Sequence, residues 1–130
     1  MTTLIPQLNE ALEHSTRVLL IEDDPLTRHL VRKIFWGRCL LATATTAEAA
    51  KRLSPGFDPD IIFLDLGLPD QSGATIMPWL RAKFTDARLV LFTKSKEFDL
   101  IDQLLVMGAD GCVHKPFHRE TMLSYLNSRS

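Results

Sequence analysis

Hydrophobic residues in this chain fall into short unbroken runs separated by longer stretches of mixed character. VLLI (Val18 to Ile21), CLLA (Cys39 to Ala42), IIFL (Ile61 to Leu64), LVLF (Leu89 to Phe92) and CVH (Cys112 to His114) are each followed by a helix-like segment. The pattern predicts five strands alternating with five helices. Continuous hydrophobicity, rather than alternation, suits strands covered on both faces, as in a parallel sheet flanked by helices. The expected class is α/β, doubly wound.

Several helix ends are legible. Asp24-Pro25 supplies a capping acid followed by proline at the first helical position, and Thr45 with Glu48 reads as a capping box. Pro78 is expected within or just past the first turn of the third helix, where N–H groups have no internal partner. Met107-Gly108 reads as a glycine stop to the fourth helix, and the last helix is expected from about His118 to the C-terminus. Trp36 and Trp79 are expected as core or rim packing on apolar helix faces. Residues 1–15 stand outside the alternation as an N-terminal extension to a domain over 16–130. In that extension Leu4, Ile5, Leu8, Ala11 and Leu12 have helical spacing, so a short amphipathic helix and a frayed tail are both open readings.

Composition adds limits rather than a function. With 130 residues, 45% of them apolar, one domain with a real core is expected. The 15 basic and 16 acidic side chains leave a formal charge of −1, so no global field favours nucleic acid or an anionic membrane. Cys39 and Cys112 form no paired metal or disulfide spacing. No apolar run approaches the ~20 residues of a membrane span and no leader pattern is seen, so a cytoplasmic protein is expected.

The chemistry starts at IIFLDLGLPDQSG (Ile61 to Gly73), where a buried run closes on the carboxylate of Asp65 and breaks at once into a Gly/Pro turn. Burying an acid there is costly unless something binds it. In an open parallel sheet, ligands bind beyond the carboxyl ends of the strands. Those ends carry Glu22-Asp23-Asp24, Asp65, Thr93 and Lys115. Clustered carboxylates raise one another's pKa unless a cation intervenes, and oxygen-only ligands favour Mg2+.

VLLIEDDPLTR, IIFLDLGLPDQSG, LVLFT and KPF, in this order and spacing, resemble the receiver domain of two-component response regulators over residues 17–129. The resemblance implies a flavodoxin-like (βα)5 fold with strand order 2-1-3-4-5. It implies Asp65 as phosphoacceptor, charged by a histidine kinase, a phosphotransfer protein or a small acyl phosphate. Glu22, Asp23, Asp65 and the carbonyl of Gly67 would hold Mg2+, with Asp24 left as a helix cap. Thr93 and Lys115 would hold the phosphoryl oxygens, and the Lys115-Pro116 peptide would be cis. Three positions depart from the family pattern: Cys112 replaces the usual aromatic, Lys94 replaces a small residue after Thr93, and Gly67 offers no side chain beside Asp65.

The fourth helix carries Phe98, Leu100, Ile101, Leu104, Leu105 and Met107 over about half its circumference, with Val106 outside that arc. Surplus apolar surface suggests a partner face, assigned to Leu100, Leu104, Met107 and Cys112, for a downstream protein or a second copy. The leading expectation is a phosphoacceptor switch, acting through its helix 4/strand 5/helix 5 face, without separate enzymatic turnover and without direct nucleic-acid or membrane contact. Two alternatives are a pseudo-receiver that only docks proteins and an aspartyl-phosphatase-type enzyme. The enzyme needs a second acid two residues after the nucleophile, where this chain has Gly67.

Overall fold

The computed structural model describes residues 16–127, so the extension predicted over residues 1–15 lies outside the described residues. Each apolar run forms a strand: β1 (Arg17–Ile21), β2 (Leu40–Ala44), β3 (Ile61–Asp65), β4 (Arg88–Thr93) and β5 (Gly111–His114). They pair in parallel in the order β2-β1-β3-β4-β5, the flavodoxin-like order. Between and after them run α1 (Pro25–Phe35), α2 (Ala47–Leu53), α3 (Gly73–Lys83), α4 (Phe98–Val106) and α5 (Arg119–Asn127).

Successive side chains of a strand point to opposite faces, so each apolar run serves two cores. Leu19, Ile21, Ile62, Leu64, Leu89 and Leu91 face Ala47 and Ala50 of α2, Ile76, Met77 and Leu80 of α3, and Ile101 and Leu104 of α4. Val18, Leu20, Ile61, Phe63, Val90 and Phe92 face Val31 and Phe35 of α1 and Met122 of α5. The unbroken hydrophobicity of β3, buried at all five positions, is the direct consequence.

Helix ends follow local chemistry, with two departures from expectation. The Asp24 carboxylate caps α1, accepting from the N–H and the hydroxyl of Thr27 at 3.0 and 2.6 Å. The cap of α2 is Thr46, not Thr45: its hydroxyl accepts from Ala49 N–H at 2.9 Å. With the cap at Thr46 the third helical position is Ala49 and Glu48 is not its partner; the N–H groups of Ala47 and Glu48 donate instead to the remote Asp70, both at 3.0 Å. Pro78 lies inside α3, in its second turn, where it removes the N–H that would bond the carbonyl of Ala74. α4 ends as expected: Gly108 has φ +127°, and the N–H of Ala109 reaches back to the carbonyl of Leu104 at 3.0 Å.

Trp79 packs on the rim, edge-on to Phe84 and under the Lys51 ammonium. Trp36 does not pack: it follows the last residue of α1 with φ −54° and ψ 126°, leaves the helical face and is 77% exposed. Arg81 ties the far end of the molecule together. Its guanidinium donates to the carbonyls of Phe84, Thr85, Ala87 and Gly108 and to the Asp110 carboxylate.

Candidate functional site

The carboxyl edge of the sheet collects the charged residues that end the central strands. Glu22 prolongs β1 by donating its N–H to the carbonyl of Ala44 at 2.9 Å, so its side chain starts inside the fold and is 1% exposed. Asp23 follows in the open turn. Asp65 closes β3 and is 7% exposed. One oxygen from each of Glu22, Asp23 and Asp65 lies within 4.8 Å of the others.

Lys115 leaves β5 toward this cluster. Its Nζ donates to Glu22 Oε1, lies 3.7 Å from Asp65 Oδ1 and sits 4.9 Å above the ring of Phe92. The peptide between Lys115 and Pro116 is cis. Glu22 Oε2 accepts from Asp24 N–H at 3.1 Å. Burial pushes the Glu22 carboxyl up to about 7, although the Lys115 ammonium pulls the other way. Three carboxylates gathered this closely, two of them buried, make a natural seat for a hard divalent cation. Those three oxygens fit such an ion by type, count and mutual distance.

Thr93 ends β4, is 2% exposed, and its hydroxyl accepts from Ser95 N–H at 2.9 Å. Strand register places it across from His114, one residue before Lys115. Gly67 donates its N–H to Asp65 Oδ1 at 3.0 Å, and a Cβ there would meet that oxygen at an ordinary 3.7 Å. Thus Glu22, Asp23, Asp65, Gly67 and Lys115 meet at one edge, while Asp24 turns to its capping role.

Residues 18–127 match the response regulator receiver domain family. The chain belongs to that family. This receiver domain is 36% identical over 114 residues to the transcriptional regulatory protein KdpE of Mycobacterium tuberculosis, covering 87% of this chain and 50% of the relative. It is 32% identical over 113 residues to the cell cycle transcriptional regulator CtrA of Caulobacter vibrioides, covering 86% and 49%. The chain thus spans about half the length of these curated relatives. A crystal structure of a two-component response regulator from Clostridium difficile superimposes with a TM-score of 0.82 at 24% identity, covering 87% of this chain and 93% of that one. No helix among the described residues is long and apolar enough to cross a membrane.

The predicted partner face of this receiver domain needs correction. Leu104 is 2% exposed because it faces the sheet with Ile101, so it belongs to the core. Leu100 and Cys112 are half-buried against the same cluster. The outward apolar residues of α4 are Phe98, Leu105 and Val106, with Met107 just beyond; Val106, placed outside the arc from sequence, is the most exposed at 88%.

Four features escaped the sequence reading. Gly73 N–H donates to Leu66 O at 3.0 Å, and a Cβ on Gly73 would lie 2.4 Å from the Asp65 carbonyl oxygen. Asp70 and Arg28 act across turns. The fourth is a groove of about 530 Å³ beside Lys115, lined by apolar Leu30, Ile34 and Phe117 and by the cations Lys33, Lys94 and Arg119. Only Arg28 left a signal in the sequence: a cation in the first turn of a helix, the wrong charge for that end.

Proposed function

We propose that this receiver domain is a phosphoacceptor switch of a two-component or phosphorelay system, with Asp65 taking a phosphoryl group from a phosphohistidine. The observation that carries the reading is the gathering of three carboxylate oxygens within 4.8 Å, with the Lys115 ammonium 3.7 Å from Asp65. Glu22, Asp23, Asp65 and the Gly67 carbonyl would hold Mg2+, which when bound supplies charge neutralisation at the phosphoryl oxygens.

In the transfer, a carboxylate oxygen of Asp65 forms the new P–O bond as the P–N bond breaks, and the electron pair returns to the donor imidazole. Little else is asked of the protein beyond alignment and charge stabilisation. Lys115, already at the edge of the acidic cluster, takes a phosphoryl oxygen. Thr93 turns its hydroxyl proton toward another. The phosphorylated side chain carries more charge and three strong acceptors, so donors at the ends of β4 and β5 gain new partners and the α4/β5/α5 face shifts between two arrangements. Cys112 leaves no aromatic ring to report that shift.

The groove beside α1 is where the histidine kinase or phosphotransfer protein would dock, and the outward residues of α4 would meet a downstream protein or a second copy. Direct contact with nucleic acid or membrane is not part of the reading, and the setting is cytoplasmic. The test is intact mass after incubation with Mg2+ and acetyl phosphate. A single phosphoryl adduct that Asp65→Asn abolishes supports the switch. No adduct on the wild type supports a docking-only pseudo-receiver, and rapid multiple turnover supports an enzyme.

A further inference from the structure

We propose that Arg28 is a positioning residue for the acidic pair, holding the β1–α1 turn so that Glu22 and Asp23 aim their carboxylates at a divalent cation. The proposal rests on the phosphoacceptor reading. Arg28 Nη1 donates to the main-chain carbonyls of both acids, at 3.1 Å to Glu22 and 2.7 Å to Asp23. These carbonyls lie beyond the last register pairs of β1, Ile21 with Ala44 and Ile21 with Leu64. The strand ladder therefore does not orient them. The capping carboxylate of Asp24 is committed to Thr27.

The helix dipole does not account for a cation at the place of Arg28. The residue stands in the first turn of α1, its own N–H bonded to the carbonyl of Asp24, where the helix dipole disfavours a cation and the turn itself holds no acidic residue, the nearest in sequence being the cap Asp24 and the preceding Glu22 and Asp23. A guanidinium there is explained by the two carbonyls it bridges. Asp23 is exposed, so the orientation of its peptide, rather than packing, aims its carboxylate. Glu22, its N–H held by Ala44 and its carboxylate by Lys115 and Asp24, is braced by the same bridge at its carbonyl.

Geometry and charge make opposite predictions for metal binding. A nearby positive charge repels Mg2+, so if Arg28 acted by charge alone its removal would tighten binding. If it acts by holding the turn, removal loosens binding, and partners that orient metal ligands are typically worth roughly 10-fold or more in affinity.

The experiment is a calorimetric titration of the full chain with MgCl2, using the wild type, Arg28→Ala and Arg81→Ala. Arg81 serves as the control because its bonds tie α3, the turn before β4 and the end of α4 rather than the acidic turn. Arg28→Ala is expected to raise the Kd for Mg2+ roughly tenfold, while Arg81→Ala lowers the thermal midpoint and leaves that Kd unchanged. If the alanine variant does not fold, Arg28→Lys keeps the charge with a shorter reach and is expected to raise the Kd as well. An unchanged or lower Kd in the folded Arg28 variant overturns the proposal, as does an equal rise in Arg81→Ala. A wild type that forms the Asp65 adduct while Arg28→Ala binds Mg2+ normally sinks only this inference. A wild type with neither Mg2+ binding nor adduct sinks the phosphoacceptor reading and this inference together.

Discussion

Lys115 and Glu22 form a largely buried ion pair across the carboxyl edge of the sheet, the lysine side chain 15% exposed and the glutamate side chain 1%. The pair holds the cation beside Asp65 while no phosphoryl group is there to receive it. Replacing Lys115 by Ala leaves a buried acid with only the Asp24 N–H as donor and Oε1 without one, which costs about 1–3 kcal/mol of unfolding free energy. Because burial already raises Glu22 to about 7, the carboxyl can take up a proton and keep the loss toward the lower end. Phosphoryl uptake suffers more, roughly 100-fold, since a preorganised donor to the transferred group is gone. Denaturant unfolding and a mass time course with acetyl phosphate measure the two effects separately.

Two glycines next to Asp65 are predicted to behave differently. A Cβ on Gly73 would lie 2.4 Å from the Asp65 carbonyl oxygen and 2.8 Å from Leu66 Cα, both rigid backbone atoms. Gly73→Ala must push the start of α3 away from the end of β3, lowering stability by about 2 kcal/mol and slowing phosphorylation by displacing Asp65. On Gly67 the same methyl meets Asp65 Oδ1 at 3.7 Å, an ordinary contact. Gly67→Ala should stay within about 0.5 kcal/mol of the wild type. Equal losses in the two variants, measured by denaturant unfolding, would refute the close-approach argument.

Asp70 makes stability depend on pH in a defined window. Bonds from the N–H groups of Ala47 and Glu48 hold its carboxyl below its ordinary 3.8. A carboxyl depressed in the folded state contributes fully above its unfolded value and loses that contribution as pH falls through the lower folded one. Asp70→Asn should therefore melt below the wild type by a constant margin at neutral and mildly acid pH. That margin should close as pH drops below 3.8. A margin unchanged down to the acid limit would mean that the carboxylate charge is not what Asp70 contributes at the start of α2.

Much of this was legible in the sequence because hydrophobic runs and strand ends are local signals. Asp65 and Lys115 were found because each directly follows an apolar run, and the parallel alternation brings such ends to one edge. The miss at α2 was a one-residue shift, the cap being Thr46 and not Thr45, and the bonds that Asp70 takes from across 22 positions at Glu48 are ones that sequence spacing does not carry. Trp36 was misplaced because α1 ends one residue earlier than its apolar pattern.

α4 shows where periodicity stops being informative, and it yields the sharpest contrast between two neighbours. Apolar residues occupy more than one face, so composition alone does not decide which side meets the sheet; the register of the helix against β4 and β5 does. That register buries Leu104 at 2% and leaves Val106 at 88%. Leu104→Ala should cost about 2–5 kcal/mol through lost burial and a residual cavity. Val106→Ser should change stability by less than about 0.5 kcal/mol, because little burial is lost. Whatever Val106 contributes then lies in association, read by sedimentation with and without beryllofluoride as a phosphoryl mimic. If Val106→Ser unfolds the protein while Leu104→Ala does not, the helix is rotated relative to this structure and its outward face lies elsewhere.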